Sequence, residues 1–193
     1  MSAFAGLAIG ASLGLALGIL LGSVRALDRL LELALELLRP IPSVAVIPIA
    51  LVALGFGYRL EIAIVAFACF WPPMILPRAG VAGVEPRLIE VSRVLKLTAM
   101  QRTLKIVTPA MLPRVFVAFR LAAGISLVVA VTVEIAVNPQ GLGYEVMTAG
   151  QALRPALMLA YVVWIGLVGF ALNGALVFAQ RRLFGQAARV GTA

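Results

Sequence analysis

From Ala3 to Val24 the chain carries no charged side chain, and four more apolar runs follow, at about Ile41–Phe56, Ile62–Leu76, Val115–Val137 and Ala156–Ala179. The first, fourth and fifth reach the ~20 residues that a helix needs to cross the hydrocarbon of a bilayer. Composition agrees: 63% of residues are hydrophobic, 12% are charged, and the mean hydropathy is +1.09. A soluble domain is about half apolar and about a quarter charged. The expected fold class is an all-α polytopic membrane protein with about five transmembrane helices. Residues 1–185 form one transmembrane domain in this reading, and 186–193 form a tail.

The second and third runs are short and hold Pro48, Pro72 and Pro73. Proline is tolerated in a membrane helix when neighbours cover the freed carbonyl. The two runs read either as separate crossings or as a re-entrant hairpin. The first run shows a second regularity. Gly6, Gly10, Gly14, Gly18 and Gly22 recur every four residues. On a helix they make a groove of small residues that admits a neighbouring helix closely. Glycine enrichment of membrane helices is the plainer alternative, but five in register point to packing. This run has no basic residues ahead of it, unlike a secretory signal, so it reads as a retained helix. An outside N-terminus on so short a lead suggests a further helix upstream.

The charges set the topology. Of sixteen basic residues, thirteen fall in stretches 25–43, 77–114 and 181–193. Arg59 and Arg154 alone fall in the intervening loops, and Arg120 lies inside the fourth run. Basic loops stay cytoplasmic on insertion. Five crossings then put every Arg-rich stretch and the C-terminus in the cytoplasm. The net charge of +8 shows no basic stripe with interleaved aromatics, so nucleic acid is not an expected partner. With no His and a single Cys, Cys69, no metal site of N/S ligands and no intrachain disulfide can form. No phosphate-binding loop occurs. If ATP drives this protein, another chain binds it, and no cofactor is expected here.

Stretch 77–114 is the longest polar segment. Pro86 suits the first position of a helix after Glu85. From there Leu88, Val91, Val94 and Leu95 fall on one helical face. Thr98 and Gln101 have capping-box spacing for a second helix, which Pro109 and Pro113 should end. Two short helices with a bend near Lys96–Thr98 are expected at the membrane surface.

The run Glu90-Val91-Ser92-Arg93-Val94-Leu95-Lys96, with Ile106-Val107-Thr108-Pro109 after it, resembles the "EAA" loop of binding-protein-dependent ABC permeases. Glu90, Ser92, Ile106 and Pro109 fall in register with that pattern. Lys96 stands at its glycine and Thr108 at its leucine. Leu38-Arg39-Pro40-Ile41-Pro42-Ser43 with Ile47-Pro48, and Glu134-Ile135 with Gly141-Leu142-Gly143-Tyr144, resemble signatures of the nitrate, sulfonate and taurine branch. The resemblance implies a type I importer permease of the MetI-like kind, in the bacterial inner membrane, carrying a small anionic solute. Members usually have one more N-terminal helix. The implied partners are a cytoplasmic ABC ATPase dimer that binds ATP and Mg2+, a second permease subunit, a periplasmic or lipid-anchored substrate-binding protein, and membrane lipid. The loop is then a coupling lever. Leu88, Val91 and Leu95 supply apolar contacts to the ATPase, Glu90 and Arg93 a charged grip, and Ser92, Lys96, Ile106 and Pro109 the frame. A surface helix lying on lipid headgroups is the alternative.

Two charges lie inside the fourth run. Arg120, in its second turn, can line a path or snorkel to the cytoplasmic interface. Glu134, the one acid inside an apolar run, is expected near the outer face, lining the path or fixing an outer gate. Asn173 reads as an interhelical hydrogen bond. Trp71, Tyr161 and Trp164 read as packing or interface residues. An ion-coupled secondary carrier or a shortened, inactive permease would also show deep charges, but no internal repeat of the kind such carriers show is visible.

Overall fold

The computed structural model describes residues 1–184, so the expected tail at 186–193 lies outside the described residues. Nine α-helices are described: α1 (Ser2–Ser23), α2 (Arg25–Leu38), α3 (Ile47–Leu54), α4 (Tyr58–Ala82), α5 (Pro86–Val94), α6 (Ala99–Arg102), α7 (Thr108–Ala136), α8 (Leu142–Gln151) and α9 (Pro155–Phe184). No strand occurs among the described residues. Four stretches are long and apolar enough to cross a membrane: α1, α4, 103–136 and 155–180. The pair of α2 with 43–54, bent by 85°, makes a fifth only if it is taken as one broken span.

The glycine stripe decides the arrangement. Gly6 meets Ile62 and Val65, Gly10 meets Ala66, Gly14 meets Phe70, Gly18 meets Met74, and Gly22 meets Arg78 and Val81. Both series rise together, so α1 and α4 are parallel. At Gly14 an added Cβ would overlap the Phe70 carbonyl. The stripe is therefore a backbone contact, as its spacing predicts. Parallel packing has a topological consequence. Ser23 and Tyr58 sit at opposite ends of the bundle, and residues 24–57 must carry the chain back along its length. They do so through α2, a 3₁₀ turn at Ser43–Val46, and α3. Ile47 of α3 is buried with Leu7, Leu60 and Ile64 in the half where α1 and α4 begin.

The second run is thus not one straight crossing. Its helical part is eight residues long, because Pro40 and Pro42 break the chain before it and Gly55, at φ +72°, ends it. The third run is longer than the apolar stretch suggests. α4 is continuous for 25 residues through Pro72, Pro73 and Pro77. Neighbours pack against the proline turns, and the buried Cys69 thiol donates to the Ala122 carbonyl of α7 at 3.2 Å.

α7 runs antiparallel to α4. Gly80 lies against Met111 and Arg114, and Cys69 against Ala122. α9 returns antiparallel along α7, with Gly169 against Leu127. The bundle therefore has two unlike ends. One gathers Ser2, Glu61 and Asn138. The other gathers the end of α1, the end of α4, helices α5 and α6, and most of the arginines.

At that second end α5 closes in a Schellman motif. Leu97 N–H donates to the Ser92 carbonyl at 3.0 Å and Lys96 N–H to Arg93 at 2.9 Å. Lys96 is left-handed, at φ +49°. The expected bend is here, made by a lysine in the conformation that glycine usually takes. The capping box forms as well: Thr98 N–H donates to Gln101 Oε1 at 3.1 Å, and Gln101 N–H to Thr98 Oγ1 at 3.3 Å. The expected break at Pro109 and Pro113 does not occur. A π turn at Thr103–Val107 runs straight into α7. Pro109 falls in the first turn of α7, where no donor is needed, and Thr108 N–H reaches back five residues to Thr103.

Two substitutions test these contacts. Gly14→Ala drives a methyl into the α4 backbone and should destabilise the purified protein by about 1–3 kcal/mol. Gly124→Ala, which meets open space, should not lower the thermal midpoint. Equal midpoints for the two variants would refute the backbone contact. Lys96→Gly removes a left-handed L-residue that costs ~1–2 kcal/mol, and adds unfolded-state entropy of ~0.5–1 kcal/mol. Hydrogen exchange of the last α5 amides should slow by up to several-fold. Faster exchange would contradict the strain at Lys96.

Candidate functional site

Two regions collect the residues that the sequence singles out. The first is the Arg-rich end. α5 projects there with Leu88, Val91, Val94 and Leu95 all exposed, Val94 to 80% and Leu95 to 63%. Ser92 faces the other way, 1% exposed, with its hydroxyl donating to the Ile89 carbonyl at 2.6 Å. One face of α5 is therefore seated on its own chain, and the apolar face of Leu88, Val91 and Leu95 is uncovered. Ile106 is half-buried in the π turn, and Pro109 is exposed at the start of α7.

Glu90 and Arg93 are not on that apolar face. They line a cleft of about 1010 Å³ between α5, α2, the ends of α1 and α4, and the π turn. Arg25, Arg29, Arg78 and Arg102 line it too, with Asp28 and Glu32. Arg78 bridges Asp28 at 2.5 Å and lies 3.8 Å from Glu32, which fixes α2 to the end of α4. Arg114 donates to the Ala79 carbonyl at 2.5 Å and closes α7 onto α4 beside it.

The second region is polar groups within the long helices. Arg120 does not lie near the end of its helix. α7 begins at Thr108, seven residues before the apolar run, which moves Arg120 inward. Ala122 is level with Cys69, near the middle of α4, so Arg120 is at mid-depth. Its Nε donates to Asn173 Oδ1 of α9 at 2.9 Å. Asn173 is an interhelical hydrogen-bond partner, as its position suggests, and the partner is Arg120. Both are exposed on the chain surface. No carboxylate pairs with Arg120 among the described residues.

Glu134 lies at the opposite end of α7. Its Oε2 accepts the Gly143 N–H at 2.8 Å, near the N-terminus of α8, where a carboxylate is favoured by the helix dipole. Gly141, at φ +99°, turns the chain there, and a Cβ on it would collide with the Glu134 carboxylate. Glu134 is thus a cap joining α7 to α8.

It is not the deepest acid. Glu61 is 1% exposed, accepts from Ser2 Oγ, and accepts from Asn138 Nδ2 at 2.7 Å. Three helical regions meet on this one carboxylate. It escapes sequence reasoning because apolarity begins at Ile62, which places Glu61 in a loop. The available signal is Gly57, a helix-opening residue at φ +111° that starts α4 four residues earlier. Trp71 stacks edge-on against Phe67 and Phe70, Trp164 is exposed, and Tyr161 donates to Glu145 at 3.4 Å.

Comparison with known proteins gives this geometry a family. The model for binding-protein-dependent transport system inner membrane components matches residues 13–190. A putative ABC transporter permease protein of Methanocaldococcus jannaschii is 34% identical over 77% of this chain and 56% of its own length. A putative aliphatic sulfonates transport permease protein of Bacillus subtilis is 32% identical over 77% and 54%. A nitrate import permease protein of Leptolyngbya laminosa is 29% identical over 77% and 53%. The chain spans a little over half the length of these relatives. With a match that takes in eight of the nine helices whole and part of α1, the protein belongs to the family of binding-protein-dependent transport system inner membrane components.

Proposed function

We propose that the chain is a membrane-spanning permease subunit of an ABC importer. In this reading it forms half of a path for a small anionic solute and couples that path to a separate ATPase. The carrying observation is α5: a short, capped helix at the Arg-rich end of the bundle, with Ser92 buried on one face and Leu88, Val91 and Leu95 uncovered on another. An apolar helix face that its own chain leaves open suits a groove on a partner. The partners are a cytoplasmic ATPase dimer, which binds ATP and Mg2+, a second permease chain and a substrate-binding protein. The subunit has no catalysis and no cofactor of its own. Relatives named for sulfonates and nitrate support an anion as the cargo. Glu134 holds the outer connection between α7 and α8, and Arg120 faces the path.

Sidedness follows from charge. The α5 end carries nearly all the basic residues, and only Arg59 and Arg154 belong to the other. The α5 end and the C-terminus are therefore cytoplasmic, in the inner membrane. In a Cys69→Ser background, Gln140→Cys should react with an impermeant thiol reagent added to intact cells, and Arg87→Cys should not. Both positions are exposed, so burial does not confuse the readout. Labelling of Arg87→Cys from outside would invert the topology.

Docking has its own test. Val91→Asp places a charge in the uncovered apolar face and should abolish co-purification of the ATPase while the permease stays in the membrane. Glu90 lies on the cleft side of α5; if the ATPase reaches that side as well, Glu90→Ala should weaken the complex at least tenfold, since losing one partner of an interfacial charge pair costs about 2–5 kcal/mol. Exposed substitutions of this kind cost the isolated fold only ~0.5 kcal/mol. Wild-type ATPase binding by Val91→Asp would remove α5 as the docking element and favour a carrier that needs no ATPase.

A further inference from the structure

In α1, α4, α7 and α9 every charged residue lies near a helix end except Arg120. α1 has none, α4 has Arg59, Glu61 and Arg78, and α9 has none between Pro155 and Gln180. Arg120 is level with the middle of α4, because Cys69 bonds to Ala122 and Gly80 packs on Met111 and Arg114. It is exposed, on the opposite side of α7 from the buried Ala118, Ala122 and Ser126. An uncompensated guanidinium at this depth is not stable against lipid, so it faces water, a solute or a partner.

A second copy of the chain does not neutralise it through its long helices. A two-fold axis along the membrane normal keeps each residue at its own depth. The long helices carry acids only at Glu61 and Glu134, both at the outer end, and both are engaged: Glu61 by Ser2 and Asn138, Glu134 by Gly143. The broken span adds Asp28, Glu32 and Glu36 of α2; Arg78 engages the first two, which leaves Glu36 as its remaining candidate.

The local chemistry selects the ligand. Asn173 accepts from Nε at 2.9 Å, which orients the guanidinium and leaves its forked Nη edge for an acceptor. The same amide keeps its Nδ2 donors. Guanidinium fork and amide together present donors only, and a planar or tetrahedral oxyanion is the matching acceptor. We propose that Arg120, positioned by Asn173, is a mid-membrane station that binds the oxyanion group of the solute, a nitrate or sulfonate, during its passage. This rests on the anion-importer reading above.

The test uses the permease–ATPase complex in proteoliposomes with its binding protein, and nitrate, ethanesulfonate and taurine as probes. Arg120→Gln should lower uptake of the transported probe at least tenfold, while ATP hydrolysis and assembly persist. Arg120→Lys should recover part of the rate, because it keeps the charge but loses the fork. Asn173→Asp sets a carboxylate against the guanidinium and should block uptake in a well-folded complex. Wild-type uptake by Asn173→Asp overturns the station, whatever happens to the folding of Arg120→Gln. Glu36→Gln should transport normally; a loss equal to that of Arg120→Gln would show that Glu36 of a second copy neutralises Arg120, and overturns the proposal as well. If the wild type takes up none of the three probes, the anion-importer reading itself fails.

Discussion

The contact between α1 and α4 is the constraint from which the rest of the bundle follows. Five glycines at four-residue spacing remove every side chain from one line of α1, and the α4 backbone fills that line. In lipid no hydrophobic force distinguishes one apolar helix face from another, so close backbone approach supplies the specificity. Because the contact is parallel, 24–57 must return along the bundle, although it contains only one amphipathic helix and a short apolar one. The 85° break between them is the consequence. α2 has no buried residue and is fixed through Asp28 and Arg78 instead.

Polar groups are sorted by depth. At the end where α1 and α4 begin, carboxylates are consumed by the structure: Glu61 ties together the starts of α1 and α4 with the turn after α7, and Glu134 caps α8. At the α5 end, arginines outnumber acids, and Arg78 and Arg114 bind neighbouring segments to α4. Between the ends one guanidinium remains, held by an amide rather than by an acid. A carboxylate in place of Asn173 would stabilise the pair and silence the charge. The amide orients it and leaves the charge available.

The existence of the long helices, the glycine contact, the bend at Lys96 and the capping box are legible from sequence, because each depends on residues a few positions apart. What is not legible depends on register between distant segments. Arg120 reads as a near-surface residue when the helix is taken to start at Val115; the π turn and the tolerated Pro109 start it earlier and move the same residue to mid-depth. Glu61 reads as a loop residue because hydropathy marks where apolarity begins, not where the helix begins. Glu90 and Arg93 belong to the right helix, but the sequence does not show that they turn toward the cleft with α2 rather than toward the open apolar face.

That division of α5 bears on how a coupling element works. A lever must transmit displacement, so its ends cannot be loose. Each end here is satisfied: the Schellman bonds of Lys96 and Leu97 close α5, the reciprocal Thr98–Gln101 bonds open α6, and the π turn continues without a break into α7. Ser92 is buried on the inner face of α5, and Arg114 locks the first turns of α7 to the end of α4. A partner that grips Leu88, Val91 and Leu95 therefore holds a body continuous with α7. The same helix carries Arg120 near its middle and Glu134 near its far end, so a tilt of α7 would displace both together.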